Sequence, residues 1–144
     1  MTDRAVAVAA WESLFRAQVA IMRSIAADFP SRDISFNEYD VMFNLSRAPE
    51  WRLRLRDLNR NVLLTQPSVS RLVDRLALRG YVQKHIDPAD GRGALIELTD
   101  AGFELFRRVA LQHMATITER IGDSLSTDEL TQLIGLCDRL RAGD

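Results

Sequence analysis

Between residues 66 and 98 a helical pattern gives way to a two-stranded pattern, and this change constrains the fold more than any other feature. Over 66–79, apolar residues recur on one side at helical spacing, and Gly80 follows as a residue that tolerates a left-handed helix end. Segments 81–86 and 94–98 are rich in β-branched residues, and the connector 87–93 is dense in turn formers. The sequence therefore predicts a helix followed directly by a β-hairpin with a protruding loop.

Further helices are expected on both sides of this helix and hairpin. A long helix is predicted over 5–28, and a second should run from Ser35, with Glu38 as its capping-box partner, to about Arg47. An extended piece at 52–54 and a brief helix at 56–62 come next, and Thr65 is the expected N-cap of the 66–79 helix. Thr99 and Ser126 should begin two C-terminal helices. This order predicts a mainly α (α+β) fold: a winged helix-turn-helix lobe with long N- and C-terminal helices.

The terminal helices are more apolar than one small lobe requires. Two apolar stripes run along the first helix, one through Val8, Trp11, Phe15 and Met22 and the other through Leu14, Ile21 and Ile25. A helix that is apolar on two faces packs on two sides, often against a partner chain. The 144 residues suit a single domain, with a winged lobe at 36–98 and dimerisation helices at 1–30 and 100–144. A homodimer is the expected assembly.

The charges are unevenly distributed along the chain, although the net charge is only −1. Between residues 47 and 92 lie ten bases and five acids, whereas the remainder holds nine bases and fifteen acids. A basic segment within an acidic frame is suited to binding phosphates, because only the contacting face must attract DNA. A solvated charged face would give the same count, so charge alone leaves both interpretations open.

The helix at 66–79 and the loop after it favour DNA over a solvated face. Val69, Leu72, Val73 and Leu76 share one side of the helix, and Pro67, Ser70, Arg71, Asp74 and Arg75 share the other. Small polar residues followed by Arg suit a major groove, although an ordinary amphipathic surface helix has the same pattern. The hairpin loop adds Arg92 between two glycines, a cation on a narrow loop that suits a minor groove. Together, these two features indicate a DNA-binding protein.

The same residues resemble the MarR/SlyA family of bacterial transcription regulators. The resemblance is carried by LTQPSVSRLVDRLALRG at 64–80 and DPADGRGALIELTDAG at 87–102, in which Asp90 and Arg92 match the Asp-x-Arg wing of the family. It implies a homodimer whose terminal helices interlock and whose two winged lobes reach successive major grooves of a pseudo-palindromic operator. One departure is Leu63, which stands where the family usually has Gly in the helix-turn-helix turn.

The DNA-binding residues follow from the helix, the loop and this resemblance. The amides beside Thr65, at a helix N-terminus, can hold a phosphate. The resemblance implies that the helix at 66–79, the recognition helix, contacts bases and the DNA backbone. It also implies a contact from the hairpin loop at 87–93, the tip of the wing. The complete predicted set is Thr65, Gln66, Ser68, Ser70, Arg71, Arg75, Asp90 and Arg92.

The resemblance also implies a repressor that a small aromatic ligand releases from DNA. Aromatic and basic residues suited to such a ligand are Trp11, Phe15, Arg16, Phe43 and His113. Two other interpretations stay open: a winged-helix module that binds protein without DNA, and a redox-responsive regulator that uses Cys137. Cys137 lies on the apolar stripe of the last helix, which favours a packing role.

Several classes of protein are not expected. The sequence has no enzymatic motif, and two isolated histidines with one cysteine predict no metal site, no cofactor and no intramolecular disulfide. A lone cysteine suits the reducing cytoplasm. Glu12 and Arg16 interrupt the N-terminal apolar run, so neither a secretory signal nor a membrane span of about 18 residues is expected.

Overall fold

The computed structural model describes residues 3–62 and 66–143, with side chains at 3–60, 62 and 68–143. Six α-helices and three β-strands occur within these ranges. Short 3₁₀ and π-helical turns occupy Pro49–Trp51 and Thr118–Gly122. The helices are α1 Arg4–Asp28, α2 Phe36–Arg47, α3 Leu55–Asn61, α4 Gln66–Leu78, α5 Asp100–Ile117 and α6 Thr127–Arg141. The strands are β1 Arg52–Arg54, β2 Val82–Asp87 and β3 Asp90–Leu98. The predicted winged helix-turn-helix fold with long terminal helices is confirmed.

The chain divides into two compact units. The helical unit comprises Met1–Phe29 and Gln112–Asp144, and the winged unit comprises Pro30–Leu111. The first part of α5 therefore belongs to the winged unit.

The sheet of the winged unit is antiparallel, with strand order β1-β3-β2. Leu53 pairs with Ile96, and Val82 pairs with Leu98, so β3 is the central strand. The predicted hairpin is present, but its loop is shorter than the expected 87–93 because β2 extends to Asp87 and β3 begins at Asp90. The turn is reduced to Pro88 and Ala89, and Arg92 lies on β3 near the tip.

The core of the winged unit is built from the apolar faces that the sequence periodicity indicates. Val69, Val73 and Leu76 of α4 are buried on the side of the helix that packs against α2 and β2. The other buried residues include Val41, Met42 and Leu45 of α2, Leu58 of α3, and Ile96 and Leu98 of β3. Burial of one such side chain contributes about 1.5–3 kcal/mol, so this face of α4 is held firmly and its opposite face is left to solvent.

The predicted helix starts at Ser35 and Ser126 are confirmed as capping boxes. Ser35 Oγ accepts from the Glu38 amide at 3.1 Å, and Glu38 Oε1 accepts from the Ser35 amide at 3.0 Å. Ser126 and Glu129 repeat the arrangement at 3.2 and 3.0 Å. Each box satisfies two amides that the first turn of a helix leaves without a partner. Thr99, predicted to begin α5, accepts from the Gly102 amide at 3.0 Å.

A tight turn before β1 was not predicted from the sequence. Glu50 and Trp51 both have positive φ, at 57° and 59°, in a region that side-chain-bearing residues rarely adopt. Trp51 stacks on Phe103 of α5 with ring centroids 4.5 Å apart and an interplanar angle of 12°. This contact joins the entry of β1 to the first turns of α5.

The helical unit leaves large apolar side chains exposed in the single chain. Trp11 is 61% and Ile134 62% exposed, on α1 and α6 respectively. The other large apolar residues exposed on these two helices are Val6, Val8, Leu14, Phe15, Leu133, Leu136 and Leu140.

Helix α1 is contrary to the prediction that no segment is apolar enough to span a membrane. It is long and apolar enough to cross a membrane by length and composition, with a mean hydropathy of 1.3 over its best 18-residue window. The two charges, Glu12 and Arg16, do not lower the hydropathy of the run enough to exclude it. A single such helix near an N-terminus is weak evidence for a membrane protein.

Candidate nucleic-acid interface

The outer face of α4 presents short polar side chains and two arginines. Ser68 and Ser70 are half-buried, and Arg71 and Arg75 are exposed. Arg71 Nη2 donates to Ser68 Oγ at 3.3 Å, one turn earlier in the helix. Of the other predicted contacts in this region, Gln66 begins α4 but its side chain is outside the described part, and Thr65 lies outside the described residues.

Ion pairs divide the Lys and Arg residues between positions 52 and 92 into two groups. Arg52, Arg54, Arg60, Arg79 and Lys84 each lie within 4.0 Å of a carboxylate. No carboxylate of residues 3–60, 62 and 68–143 lies that close to Arg56, Arg71, Arg75 or Arg92. The four arginines without such a carboxylate are all exposed, so their charge is available to an anion. The sequence alone could not separate the two groups, because pairing depends on the fold.

The one acid on the outer face of α4 is held by the hairpin. Asp74 Oδ1 lies 2.8 Å from Lys84 Nζ of β2. The pair connects α4 to β2 and offsets the negative charge of Asp74, which would repel a phosphate. Because both side chains are largely exposed, the pair contributes little to stability, and its effect is on local charge.

The base of the wing is held by Asp87, which is only 4% exposed. Its Oδ2 accepts from Arg54 Nε at 2.8 Å, and its Oδ1 accepts from the Ala89 amide at 2.9 Å. A buried carboxylate needs such partners to offset the cost of leaving water. Sequence reasoning assigned Asp87 to a turn and missed its pair, since Arg54 lies on a different strand.

The tip of the wing carries the two residues of the Asp-x-Arg pattern. Asp90 Oδ1 accepts from the Arg92 amide at 3.0 Å, so Asp90 shapes the backbone on which Arg92 is presented. The Arg92 side chain is exposed. Asp90 therefore stabilises the backbone of the wing, and the Arg92 side chain is open to solvent.

Glu97 links two bases on the exposed side of the sheet. It forms an ion pair with Arg52 of β1, and its Oε1 lies 3.6 Å from His85 Nε2 of β2. The hydrogen bond from Arg52 holds the pKa of Glu97 below its usual range, with smaller contributions from His85. This part of the sheet is therefore close to neutral and contrasts with α4 and the wing tip.

The five residues predicted for a small ligand are divided between the two units. Trp11, Phe15, Arg16 and His113 belong to the helical unit and Phe43 to the winged unit. Trp11 and Phe15 contact each other, with ring centroids 5.7 Å apart. His113 is 5% exposed and meets Phe29 edge-on at 5.3 Å, and burial lowers its pKa.

Phe43 lies in an aromatic cluster of the winged unit. Its ring centroid is 6.5 Å from that of Tyr39 and 6.4 Å from that of Phe106. The guanidinium carbon of Arg47 lies 5.2 Å from the Phe43 centroid, a cation–π geometry that sequence reasoning missed. An i,i+4 pair on a helix is visible in a sequence, so this contact could have been found.

The last candidate groups are the cysteine and the side chains that could bind a metal ion. Cys137 is half-buried on α6. Within the described part of the chain, no three His, Cys, Asp or Glu residues are grouped so as to hold a metal ion.

Comparison with known proteins identifies the family. The family model described as MarR family matches residues 32–93, which lie in the winged unit. The HTH-type transcriptional regulator PecS of Dickeya dadantii is 27% identical over 130 residues, covering 89% of this chain and 77% of PecS. YkoM of Bacillus subtilis, an uncharacterized HTH-type transcriptional regulator, is 32% identical over 109 residues, covering 74% of this chain and 68% of YkoM. The chain belongs to the MarR family.

Solved structures of DNA-binding proteins share this fold. Sco3205 of Streptomyces coelicolor, solved in complex with DNA, has a TM-score of 0.79 at 24% identity, covering 99% of this chain and 90% of that one. BpsR of Bordetella bronchiseptica, whose DNA binding is regulated by 6-hydroxynicotinic acid, has a TM-score of 0.75 at 21% identity, covering 92% of this chain and 93% of that one.

Membership of the MarR family establishes the class of protein. MarR-family members are transcription regulators and not enzymes, and this chain is a winged-helix DNA-binding regulator. The predictions of a DNA-binding regulator and of a non-enzyme are confirmed.

Proposed function

We propose that this MarR-family protein works in the cytoplasm as a homodimeric repressor that binds a pseudo-palindromic operator and is released by a small aromatic ligand. In the proposal, α4 of each protomer enters a major groove and the wing reaches the neighbouring minor groove. Gln66, Ser68, Ser70, Arg71 and Arg75 contact the DNA from α4, Thr65 precedes them, and Asp90 supports Arg92 in the wing.

The observation that carries the proposal is the group of exposed arginines without a described carboxylate partner. Arg71 and Arg75 lie one turn apart on the outer face of α4, beside Ser68 and Ser70. Arg can form two parallel hydrogen bonds with guanine, and Ser can read several base edges. Arg92 on the wing supplies a cation suited to the negative potential of a narrow minor groove.

The apolar surface of the helical unit supports a dimer. Trp11, Phe15, Ile134 and Leu140 are each more than half exposed in the single chain. Large exposed apolar patches on soluble proteins mark interaction sites, and most soluble oligomers are symmetric copies of one chain. A second copy would cover the stripes of α1 and α6.

The ligand part of the proposal rests on aromatic and cationic side chains. The Trp11–Phe15 pair and Phe43 can stack with an aromatic ring, and the exposed Arg16 can meet an anionic group, whereas the buried His113 would offer a neutral ring. The regulation of BpsR by an aromatic hydroxy acid supports the same chemical class here. A hundredfold loss of operator affinity requires the ligand to prefer the non-binding dimer arrangement by about 2.7 kcal/mol.

Selection of bound fragments from the source genome tests DNA binding. The expected result is recovery of a few fragments that shift specifically in a gel, with the shift weakened by Arg71→Ala. Arg107→Ala is the matched control, because Arg107 is also an exposed helical arginine but lies on α5, paired with Glu104 at 3.3 Å. Failure to retain any fragment would contradict the proposal and would favour a winged-helix module that binds protein.

Ligand release is tested on the selected fragment. Salicylate-like acids at up to millimolar concentration should lower affinity for the fluorescent operator, and Phe43→Ala should weaken the response. Release by peroxide that Cys137→Ser abolishes would instead support redox control. If no aromatic acid changes either the affinity or the melting temperature, the ligand part of the proposal is wrong.

A further inference from the structure

A cleft of about 240 Å³ lies between the wing and the start of α3. Its charged lining consists of three arginines and two aspartates: Arg54, Arg56, Arg92, Asp87 and Asp90. All of these residues belong to the winged unit. The volume is several times that of a water molecule, so a group the size of a phosphate can enter.

The two acids of the cleft are already engaged by nearby groups. Asp87 accepts one hydrogen bond from Arg54 and one from the Ala89 amide, through different oxygens. Asp90 accepts from the Arg92 amide. Neither carboxylate lies within 4.0 Å of the guanidinium of Arg56 or Arg92. The two aspartates therefore hold the backbone and Arg54 that line the cleft. Arg56 and Arg92 are left to bind an anion there.

We infer that this cleft holds a backbone phosphate of the bound DNA, with Arg56 as a DNA contact that no sequence pattern assigns. Arg56 follows β1 and lines the same cleft as the wing residue Arg92. Arg56 therefore contacts a phosphate at the edge of the groove that Arg92 enters. Guanidinium groups form strong, often bidentate hydrogen bonds with phosphate. The Arg54–Asp87 ion pair connects the segment that carries Arg56 to the hairpin that carries Arg92.

The inference rests on the proposed DNA binding and extends it beyond α4 and the wing tip. A phosphate contact neutralises one DNA charge and releases counterions, so its loss weakens binding to all sequences and lowers the salt slope by about one unit. A base contact would alter sequence preference instead. The salt dependence of affinity therefore separates a phosphate contact at Arg56 from a base contact.

The test measures operator affinity across a series of chloride concentrations for wild type, Arg56→Ala, Arg56→Lys and Arg60→Ala. Arg56→Ala should reduce the slope of log affinity against log salt by about one unit, whereas Arg56→Lys should keep it because the charge remains. Arg60→Ala should match wild type, since Arg60 lies on the same helix but pairs with Asp57 at 3.8 Å. Thermal unfolding of each variant confirms that the fold is intact.

The outcomes separate this inference from the function on which it rests. Specific binding by wild type, with equal slopes for Arg56→Ala and Arg60→Ala, would overturn the phosphate contact alone. Absence of DNA binding by wild type would overturn both. A second series adds inorganic phosphate at matched ionic strength to the protein–operator complex. Phosphate should not bind the complex, because the DNA backbone fills the cleft. Phosphate binding to the complex that Arg56→Ala abolishes would assign the cleft to a free phosphate ligand and overturn the DNA contact.

Discussion

The first turn of α5 passes close to the backbone that leaves α4, and Gly102 lies at the closest approach. A Cβ at Gly102 would meet the Tyr81 carbonyl oxygen at 2.1 Å. Thr99 Oγ1 holds the two segments together by donating to the Gly80 carbonyl at 2.7 Å. Gly80 has a different requirement: its φ is +83°, yet a Cβ there would meet nothing within 4 Å. One glycine is needed for space and the other for backbone conformation.

Replacement of each glycine by alanine should reveal this difference. Gly80→Ala should lower the free energy of unfolding by about 1–2 kcal/mol, the cost of a left-handed residue with a side chain. Gly102→Ala should lower it by more, about 3 kcal/mol, because backbone rather than a flexible side chain must move. Gly91→Ala, with open space and no positive φ, is the control. Urea unfolding measures all three, and equal losses at Gly80 and Gly102 would refute the steric account.

Burial of His113 makes stability depend on pH. Its pKa is lowered because desolvation disfavours the charged ring, so the unfolded chain binds a proton at a pH where the folded chain does not. The free energy of unfolding should be unaffected by this group above the ordinary pKa of about 6.5 and should fall as pH drops below it. His113→Phe keeps a ring against Phe29 and should remove that part of the decrease. An unchanged pH profile in the variant would exclude His113 as the cause.

At the scale of elements, the recognition helix and the wing have different chemistry. Helix α4 presents Arg71 beside Ser68, a combination of short and long donors that suits base edges. The wing presents Arg92 on a hairpin with Gly91 and Gly93 beside it, which suits a close approach to the backbone or minor groove. The two elements are expected to contribute sequence preference and general affinity respectively.

Alanine substitutions on the two elements should therefore differ in kind. Arg71→Ala should cost about 1–3 kcal/mol on the operator and reduce discrimination between operator and altered sites. Arg92→Ala should weaken all sites more evenly and lower the salt slope by about one unit. Affinities measured on operator and scrambled DNA at several salt concentrations check both. Wild-type binding by both variants would exclude the docking of these elements.

Features within one element were predictable from the sequence, and features between elements were not. Both capping boxes and the buried face of α4 were visible because they depend on residues three or four apart. The Arg54–Asp87 pair joins β1 to β2 and depends on strand order, which the sequence pattern does not specify. The Trp51–Phe103 stack similarly requires a positive-φ turn that no glycine marks. Arg56 was missed for the same reason, because its cleft forms only when the wing lies beside α3.

In the whole molecule, the exposed apolar residues of α1 and α6 form a surface that a second protein chain would bury. A single copy would present these stripes to water, at a cost of about 25 cal/mol for each Å² of apolar surface. Burial against a second copy removes that cost and places two α4 helices in one particle. Two recognition helices in a symmetric particle suit a site with two similar halves.

Light scattering should therefore give twice the 16.3 kDa chain mass at micromolar concentration. Trp11→Glu should shift the mass toward the monomer, since a buried charge without a partner is costly. Arg107→Glu, on the exposed surface of α5, should leave the dimer intact. A folded wild-type monomer at this concentration would contradict the proposed assembly.

Two winged units of one dimer should bind DNA together, and a footprint on the selected operator measures whether they do. Protection should cover two similar half-sites whose centres are about one helical turn, ~10 bp, apart. Arg71→Ala should weaken protection of both halves to the same extent, because each half meets the same helix of a different protomer. Protection of a single asymmetric half-site by the dimer would contradict the account.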